Sequence, residues 1–129
     1  MRKAIVIGAG IIGLSISYYL KKHNFDIAVI EKSRAGLEAS YAAAGMLAAQ
    51  SEFDFYEDFM NFCIKSRGIY ESYCNEIEKT SGIDVEFQKC GILRPALNEE
   101  QVKHLKNNYK WQKNKGFEIE FLSGEEIRE

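Results

Sequence analysis

The sequence predicts an α/β fold that opens with a β-strand, a glycine turn, an α-helix and a second β-strand. An apolar, β-branched run, Ile5 to Ile7, leads into glycines at positions 8, 10 and 13. Apolar residues then recur at helical spacing, and the segment 26–31 is again rich in β-branched residues and ends in an acid. We therefore expect the βαβ unit that begins a Rossmann-like fold with parallel strands.

The three glycines form the pattern Gly-x-Gly-x-x-Gly, in which each position has its own physical role. Gly8 allows a sharp exit from the strand, Gly10 lets the backbone approach a pyrophosphate, and Gly13 lets the helix lie close to the sheet. Free N–H groups and a partial positive charge at a helix start can hold an anion without a basic side chain. No Lys or Arg occurs between Gly8 and Leu20. The turn is predicted to hold a dinucleotide; glycines that serve packing alone are the alternative.

Glu31 narrows the choice of dinucleotide. It comes 18 residues after Gly13, near the ~20 expected for the acid that accepts hydrogen bonds from a ribose hydroxyl. A carboxylate at this place would repel a 2′-phosphate. The residues therefore favour FAD or NAD over NADP.

The composition fits one ordinary domain of 129 residues, with 46% hydrophobic residues. A net charge of -2 and a pI near 5.8 give no basic field, so nucleic acid is not expected as a partner. No stretch reaches the ~20 apolar residues of a transmembrane segment, and the glycine-broken N-terminal run does not resemble a signal peptide. We expect a cytoplasmic protein. Cys63, Cys74 and Cys90 form no C-x-x-C pair and lie apart from both histidines, so no metal site is predicted.

Beyond residue 50 the apolar spacing predicts two helices and three strands. A long amphipathic helix is expected from Ser51 to Lys79. A second helix is expected from Glu99 to Lys115, with Asn98 as N-cap and Gly116 as stop. Alternating apolar residues predict strands at 84–88, 92–97 and 117–122.

The chain ends soon after a helix start signal. Ser123-Gly-Glu-Glu126 is a capping box, yet the sequence stops at Glu129. A single turn carries the cost of helix nucleation and almost none of the gain from propagation. No further βαβ unit follows Glu31 to supply the remaining strands of a dinucleotide-binding sheet. Both observations lead us to expect a truncated chain, or one that another chain completes.

The segment Ser40-Tyr-Ala-Ala-Ala-Gly-Met-Leu47, with the glycine turn and Glu31, resembles the FAD-dependent D-amino-acid oxidase superfamily. Within it, the bacterial glycine oxidases of thiamine biosynthesis are most similar, and the chain is similar to the N-terminal third of such proteins. The resemblance implies FAD as the cofactor. It also implies that 1–82 is the N-terminal part of the FAD-binding domain and that 83–129 is the incomplete beginning of an α+β substrate-binding domain.

The resemblance further implies where the flavin is held. Small residues at 42–45 would let backbone amides approach the flavin, Ser40 could donate to a phosphate, and Met46 would give a soft, polarisable contact. A small-residue loop packed on the sheet is the alternative. Glu38 departs from the family pattern, and its charge would weaken phosphate binding unless it points away. The predicted cofactor-binding residues are Gly8, Gly10, Ile11, Ile12, Gly13, Glu31, Lys32, Ser40, Ala43, Ala44, Gly45, Met46 and Leu47.

The implied activity is oxidation of a small amine or amino acid such as glycine. A hydride passes from the α-carbon to flavin N5, the imine hydrolyses to an oxo acid and ammonia, and oxygen is reduced to hydrogen peroxide. The family's substrate-binding side chains come later in its sequence, so no catalytic residue is predicted. A flavoprotein dehydrogenase for glycerol 3-phosphate, sarcosine or a D-amino acid, and an inactive truncated module, are the alternatives. The sequence does not determine the oligomeric state, and a homo-oligomer of the complete enzyme is one of the alternatives.

Overall fold

The structure, a computed structural model, describes residues 1–127. The chain divides into two compact units, the first Met1–Met46 and the second beginning at Leu47. The elements in this range are β1 (Arg2–Ile7), α1 (Ile11–Lys22), β2 (Phe25–Ile30), α2 (Ala39–Ala42), α3 (Asp58–Ser81) and α4 (Glu99–Asn114). No helix in the described part of the chain is long and apolar enough to cross a membrane. The division at residue 82 into cofactor and substrate domains stays a prediction.

The first unit is the predicted βαβ arrangement. Strands β1 and β2 run parallel in a continuous register from Arg2 opposite Phe25 to Ile7 opposite Ile30. Helix α1 connects them, starting at the N-cap Gly10 and ending at the C-cap His23. The prediction of a parallel, Rossmann-like N-terminal part is confirmed.

The two faces of this small sheet differ. Helix α1 lies on the face that carries Val6, because a Cβ at Gly13 of this helix would be 3.4 Å from Val6 Cγ1. Side chains alternate between the faces of a strand, so Ile5 and Ile7 point the other way, and they are 68% and 85% exposed. Parallel sheets are normally apolar on both faces, and this strand composition follows that rule.

Helices α3 and α4 dominate the second unit. The prediction of a long helix holds, but α3 starts at Asp58 rather than Ser51, and it continues through Gly68. It ends at Gly82, whose φ of +72° is left-handed and whose amide donates to the Glu78 carbonyl at 2.8 Å. Met60 and Cys74 on this helix are buried, with 0% and 6% exposure.

Helix α4 follows its predicted bounds closely. The Asn98 side chain accepts a hydrogen bond from the Gln101 amide at 2.9 Å, and the Gln101 side chain accepts one from the Leu97 amide at 2.7 Å. This reciprocal pair satisfies two backbone donors that the helix start leaves free. At the other end Gly116 has a φ of +79° and its amide donates to the Lys113 carbonyl. The predicted start and stop of this helix are confirmed.

The three strands predicted after residue 82 are wrong. The described residues pair only as β1 with β2, and 84–88, 92–97 and 117–122 have no backbone ladder. Asp84 instead accepts a hydrogen bond from the Glu86 amide at 2.7 Å, and Glu86 has a φ of +55°. Such an Asx turn is incompatible with extended backbone. In 117–122 the burial still alternates at first, with Phe117 and Ile119 half-buried, but a strand also requires a hydrogen-bonded neighbour.

Candidate functional site at the glycine turn

The turn between β1 and α1 has the backbone that the glycine pattern predicts. Gly8 has a φ of +100°, a conformation that side chains strongly disfavour. Its amide donates to the Ile30 carbonyl at 2.7 Å, which continues the pairing one residue beyond β1. The chain therefore leaves the sheet at Gly8 and enters α1 within three residues.

Gly13 and Gly10 are positions of close approach. A Cβ at Gly13 would lie 2.0 Å from the Gly8 carbonyl oxygen, a backbone atom that cannot rotate away. A Cβ at Gly10 would lie 3.1 Å from Ser40 Oγ. The absence of a side chain at Gly13 thus lets α1 lie against the turn. The absence of a side chain at Gly10 leaves room for Ser40 beside the backbone.

The start of α1 presents free amides to a shallow depression. The first intrahelical bond runs from the Leu14 amide to the Gly10 carbonyl, so the preceding amides have no carbonyl partner within the helix. The Ile11 amide donates to Ser40 Oγ at 3.0 Å. The depression has a volume of about 350 Å³ and is lined by Val6, Ile7, Gly8, Gly10, Ile11, Ile12, Gly13, Ile16 and Ser40. Six of the predicted cofactor-binding residues therefore meet at one place.

Glu31 is held against the same turn. Its Oε2 accepts a hydrogen bond from the Ala9 amide at 2.7 Å, and its Oε1 accepts one from the Ser33 amide at 3.1 Å. The Ala9 bond is the main reason that the pKa of the Glu31 carboxyl lies below its ordinary value. An ionised carboxylate offers about four lone pairs, so it retains acceptor capacity for a ribose hydroxyl.

Glu38 has a cationic partner within its own loop. Its Oε2 lies 3.7 Å from Lys32 Nζ, and its Oε1 accepts a hydrogen bond from Ser33 Oγ at 2.8 Å. Lys32, predicted to contact the cofactor, is thus paired with Glu38 in this structure. The pairing partly offsets the negative charge of Glu38, which was expected to weaken phosphate binding.

The predicted residues 43–47 are not among the residues that line the depression at the glycine turn. Ser40 lies in the single turn of α2, after which the chain is extended and Gly45 has a φ of +74°. Ala43, Ala44, Gly45 and Met46 are exposed, Met46 at 68%, and Leu47 is half-buried. None of these five residues lines the depression. Their contact with a flavin stays a prediction.

Helix α4 carries two buried polar residues that were not predicted from the sequence. Asn108 and Gln112 are 5% and 2% exposed, less than any apolar residue of that helix. Their spacing relative to Leu105 and Tyr109 places all four on one helical stripe, which is the signal that could have identified them.

Comparison with known proteins identifies the family. The family described as FAD dependent oxidoreductase, DAO, matches residues 3–129. The chain belongs to this family of FAD-dependent oxidoreductases, and the cofactor predicted from the sequence, FAD, is the cofactor of the family.

Several relatives have closely matching sequences or structures. The glycine oxidase of Bacillus licheniformis is 43% identical over 108 residues, 81% of this chain and 29% of that protein. The bifunctional protein ThiO/ThiG of Trichormus variabilis is 32% identical over 115 residues, 89% of this chain and 17% of that protein. The crystal structure of glycine oxidase from Geobacillus kaustophilus has a TM-score of 0.93 at 30% identity, covering 98% of this chain and 35% of that one. The chain thus spans about a third of the length of the glycine oxidases it matches.

Proposed function

We propose that the protein carrying this chain is an FAD-dependent oxidase of glycine or a related small amino acid. The observation that supports this most is the glycine turn, where Gly8, Gly13, the Ile11 amide and Ser40 lie together at a helix start whose free amides could hold a pyrophosphate. Relatives that are glycine oxidases support the substrate class.

The residues present fit the cofactor. The free amides at the start of α1 would hold the pyrophosphate, and Glu31 would accept from a ribose hydroxyl. Ser40 Oγ accepts from the Ile11 amide and keeps its own hydrogen, which a phosphate oxygen could accept. We extend the site to Lys32 and to Ala43–Leu47 on the family resemblance.

When bound, FAD supplies the hydride acceptor that oxidises the α-carbon, and the imine product then hydrolyses to an oxo acid and ammonia while oxygen yields hydrogen peroxide. This chain contributes binding and orientation. Its backbone amides would hold the anion and Glu31 would orient the adenosine end, while Lys32 is paired with the negative charge of Glu38. A role in thiamine biosynthesis, as the resemblance implies, completes the proposal.

The test is expression from the complete reading frame. We expect a yellow protein with a flavin absorbance spectrum and glycine-dependent peroxide formation. A colourless protein without oxidase activity would refute the proposal.

A matched pair of variants tests the cradle itself. Ser40→Ala removes the hydroxyl at the start of α1 and should weaken FAD binding measured by flavin fluorescence. Ser72→Ala is the control, because Ser72 is exposed on α3 and its hydroxyl donates to the Ile69 carbonyl of its own helix. Equal FAD affinity in the two variants would show that Ser40 does not contribute to the FAD-binding site.

The second candidate function is a flavoprotein dehydrogenase with another substrate or acceptor. It is favoured by similarity to a D-amino acid dehydrogenase from Mesorhizobium japonicum, 44% identical over 52 residues. Assays of glycine, sarcosine, D-alanine and glycerol 3-phosphate, each with oxygen and with a quinone, separate the two candidates. Quinone-dependent turnover without peroxide would favour the dehydrogenase.

A further inference from the structure

Gln50 lies three residues beyond Leu47 and is held by side chains from both long helices. Its Nε2 donates to Gln112 Oε1 at 3.0 Å and to the Glu118 carbonyl at 2.9 Å. Gln112 Nε2 donates in return to the Gln50 carbonyl at 3.2 Å, and Arg67 Nη2 donates to Gln50 Oε1 at 3.2 Å. Both donor hydrogens and the acceptor oxygen of the Gln50 side chain are therefore used.

A second anchor lies four residues further along the chain. Asn108 Nδ2 donates to Asp54 Oδ1 at 3.0 Å, and Trp111 Nε1 donates to Asn108 Oδ1 at 3.1 Å. His104 Nε2 lies 3.0 Å from the same Asp54 oxygen. The hydrogen bond from Asn108 is the main reason that the pKa of Asp54 lies below its ordinary value. Asp54 thus stays ionised and bound to α4.

The two anchors come from one face of α4. Gln112 and Asn108 are separated by one helical turn, and both are almost fully buried. Burying a carboxamide is unfavourable unless its hydrogen bonds are satisfied, and no buried side-chain polar atom within residues 1–127 lacks a partner. A fully satisfied polar network accepts only one register of the segment it binds, whereas an apolar contact would tolerate several.

We infer that Gln112 and Asn108 are positioning residues, which fix the segment Gln50–Asp54 and thereby hold Leu47, the last residue of the predicted flavin-binding segment. Exposure changes at this point, since Met46 is 68% exposed and the residues from Leu47 to Ser51 are half-buried. Three residues span at most ~10 Å of chain, so fixing Gln50 restricts where Leu47 can lie. The link to the cofactor rests on the proposed function.

The test compares two leucine variants of α4 in the protein expressed from its complete reading frame. Gln112→Leu removes one anchor, and Asn107→Leu places the same side chain at an exposed position of the same helix. Amide hydrogen exchange is measured by mass spectrometry on peptides covering 47–54, and visible circular dichroism reports the surroundings of the bound flavin. Gln50→Ala, which removes the same contacts from the loop side, serves if Gln112→Leu does not fold.

We expect Gln112→Leu to speed exchange at 47–54 by roughly tenfold or more, the change that loss of a buried hydrogen-bonded group produces. Exchange in α1 should be unchanged, and the flavin dichroism should change at a temperature where the variant is folded. Equal exchange in Gln112→Leu and Asn107→Leu would overturn the anchoring. Faster exchange with an unchanged flavin signal and unchanged kcat/KM would overturn the positioning role. A wild-type protein without flavin would overturn the proposed function and the link to the cofactor, while the exchange data would still decide the anchoring.

Discussion

Replacing Gly13 with alanine is the most direct test of the glycine turn. The added Cβ would lie 2.0 Å from the Gly8 carbonyl oxygen and 3.1 Å from the Gly8 carbonyl carbon. Real Cβ atoms essentially never lie within 3.0 Å of such an atom. Because the obstructing atoms belong to the backbone, α1 and the turn must separate by about 1 Å to accept the methyl group.

The free energy of unfolding should fall in this variant. Overpacking of this kind typically costs ~1–3 kcal/mol, and alanine recovers at most ~1 kcal/mol as the better helix former. The contact is severe and rigid on both sides, so we expect a net loss of about 2 kcal/mol. FAD binding should weaken as well, because the displaced amides are those predicted to hold the pyrophosphate.

Gly68→Ala is the matched control for this substitution. Gly68 is also helical, but a Cβ there would meet no heavy atom within 4 Å. We expect Gly68→Ala to stabilise the protein by up to ~1 kcal/mol. Urea denaturation measures both variants, and flavin fluorescence gives their FAD affinity. If Gly13→Ala were as stable as the wild type and bound FAD equally well, the close-approach argument would be refuted.

Three further predictions concern capping, pH and thiol reactivity. Asn98→Ala should cost ~1 kcal/mol in urea denaturation, since it removes the cap on the Gln101 amide, and Asn98→Ser should recover most of the loss. The pKa of Glu31 lies below its ordinary value of 4.5 in the folded state, so its stabilising contribution is present above that pH and is lost as pH falls through the lower folded pKa. Glu31→Gln should therefore make the free energy of unfolding less dependent on pH below 4.5. An unchanged slope of that free energy against pH would contradict this. Burial raises the pKa of the Cys74 thiol, whereas Cys90 is exposed, so a thiol reagent should modify Cys90 first. Peptide mapping measures the order of modification, and the reverse order would contradict the fold of the second unit.

The sequence predicted the parts of the fold that depend on local backbone requirements. Left-handed φ values at Gly8 and Gly82 can be adopted cheaply only by glycine, so the strand exit and the helix stop could be located without a structure. Asn98 likewise marks a helix start, because its side chain satisfies an amide three residues away. The order strand, helix, strand at the N-terminus followed from the apolar spacing, the β-branched residues and the glycine turn between them.

The predicted strands after residue 82 show where such reasoning stops. Alternation states that a segment can be extended, but a strand exists only where a neighbour accepts and donates its hydrogen bonds. At Asp84 a local Asx turn competes successfully with the extended form. The start of α3 at Asp58 has a similar cause, since hydrogen bonds from distant residues hold Gln50 and Asp54 outside the helix.

The sequence by itself determined that the chain begins with a glycine-rich βαβ unit ending in Glu31, and hence the class of cofactor, because each glycine answers a requirement set by its immediate neighbours. Only the tertiary structure decided that Glu38 is paired with Lys32, that Ser40 Oγ accepts a hydrogen bond from the Ile11 amide, and that two carboxamides of α4 are buried. These contacts join residues that are separated in sequence or free to choose among several partners. Which partner wins depends on distances that only the folded chain defines.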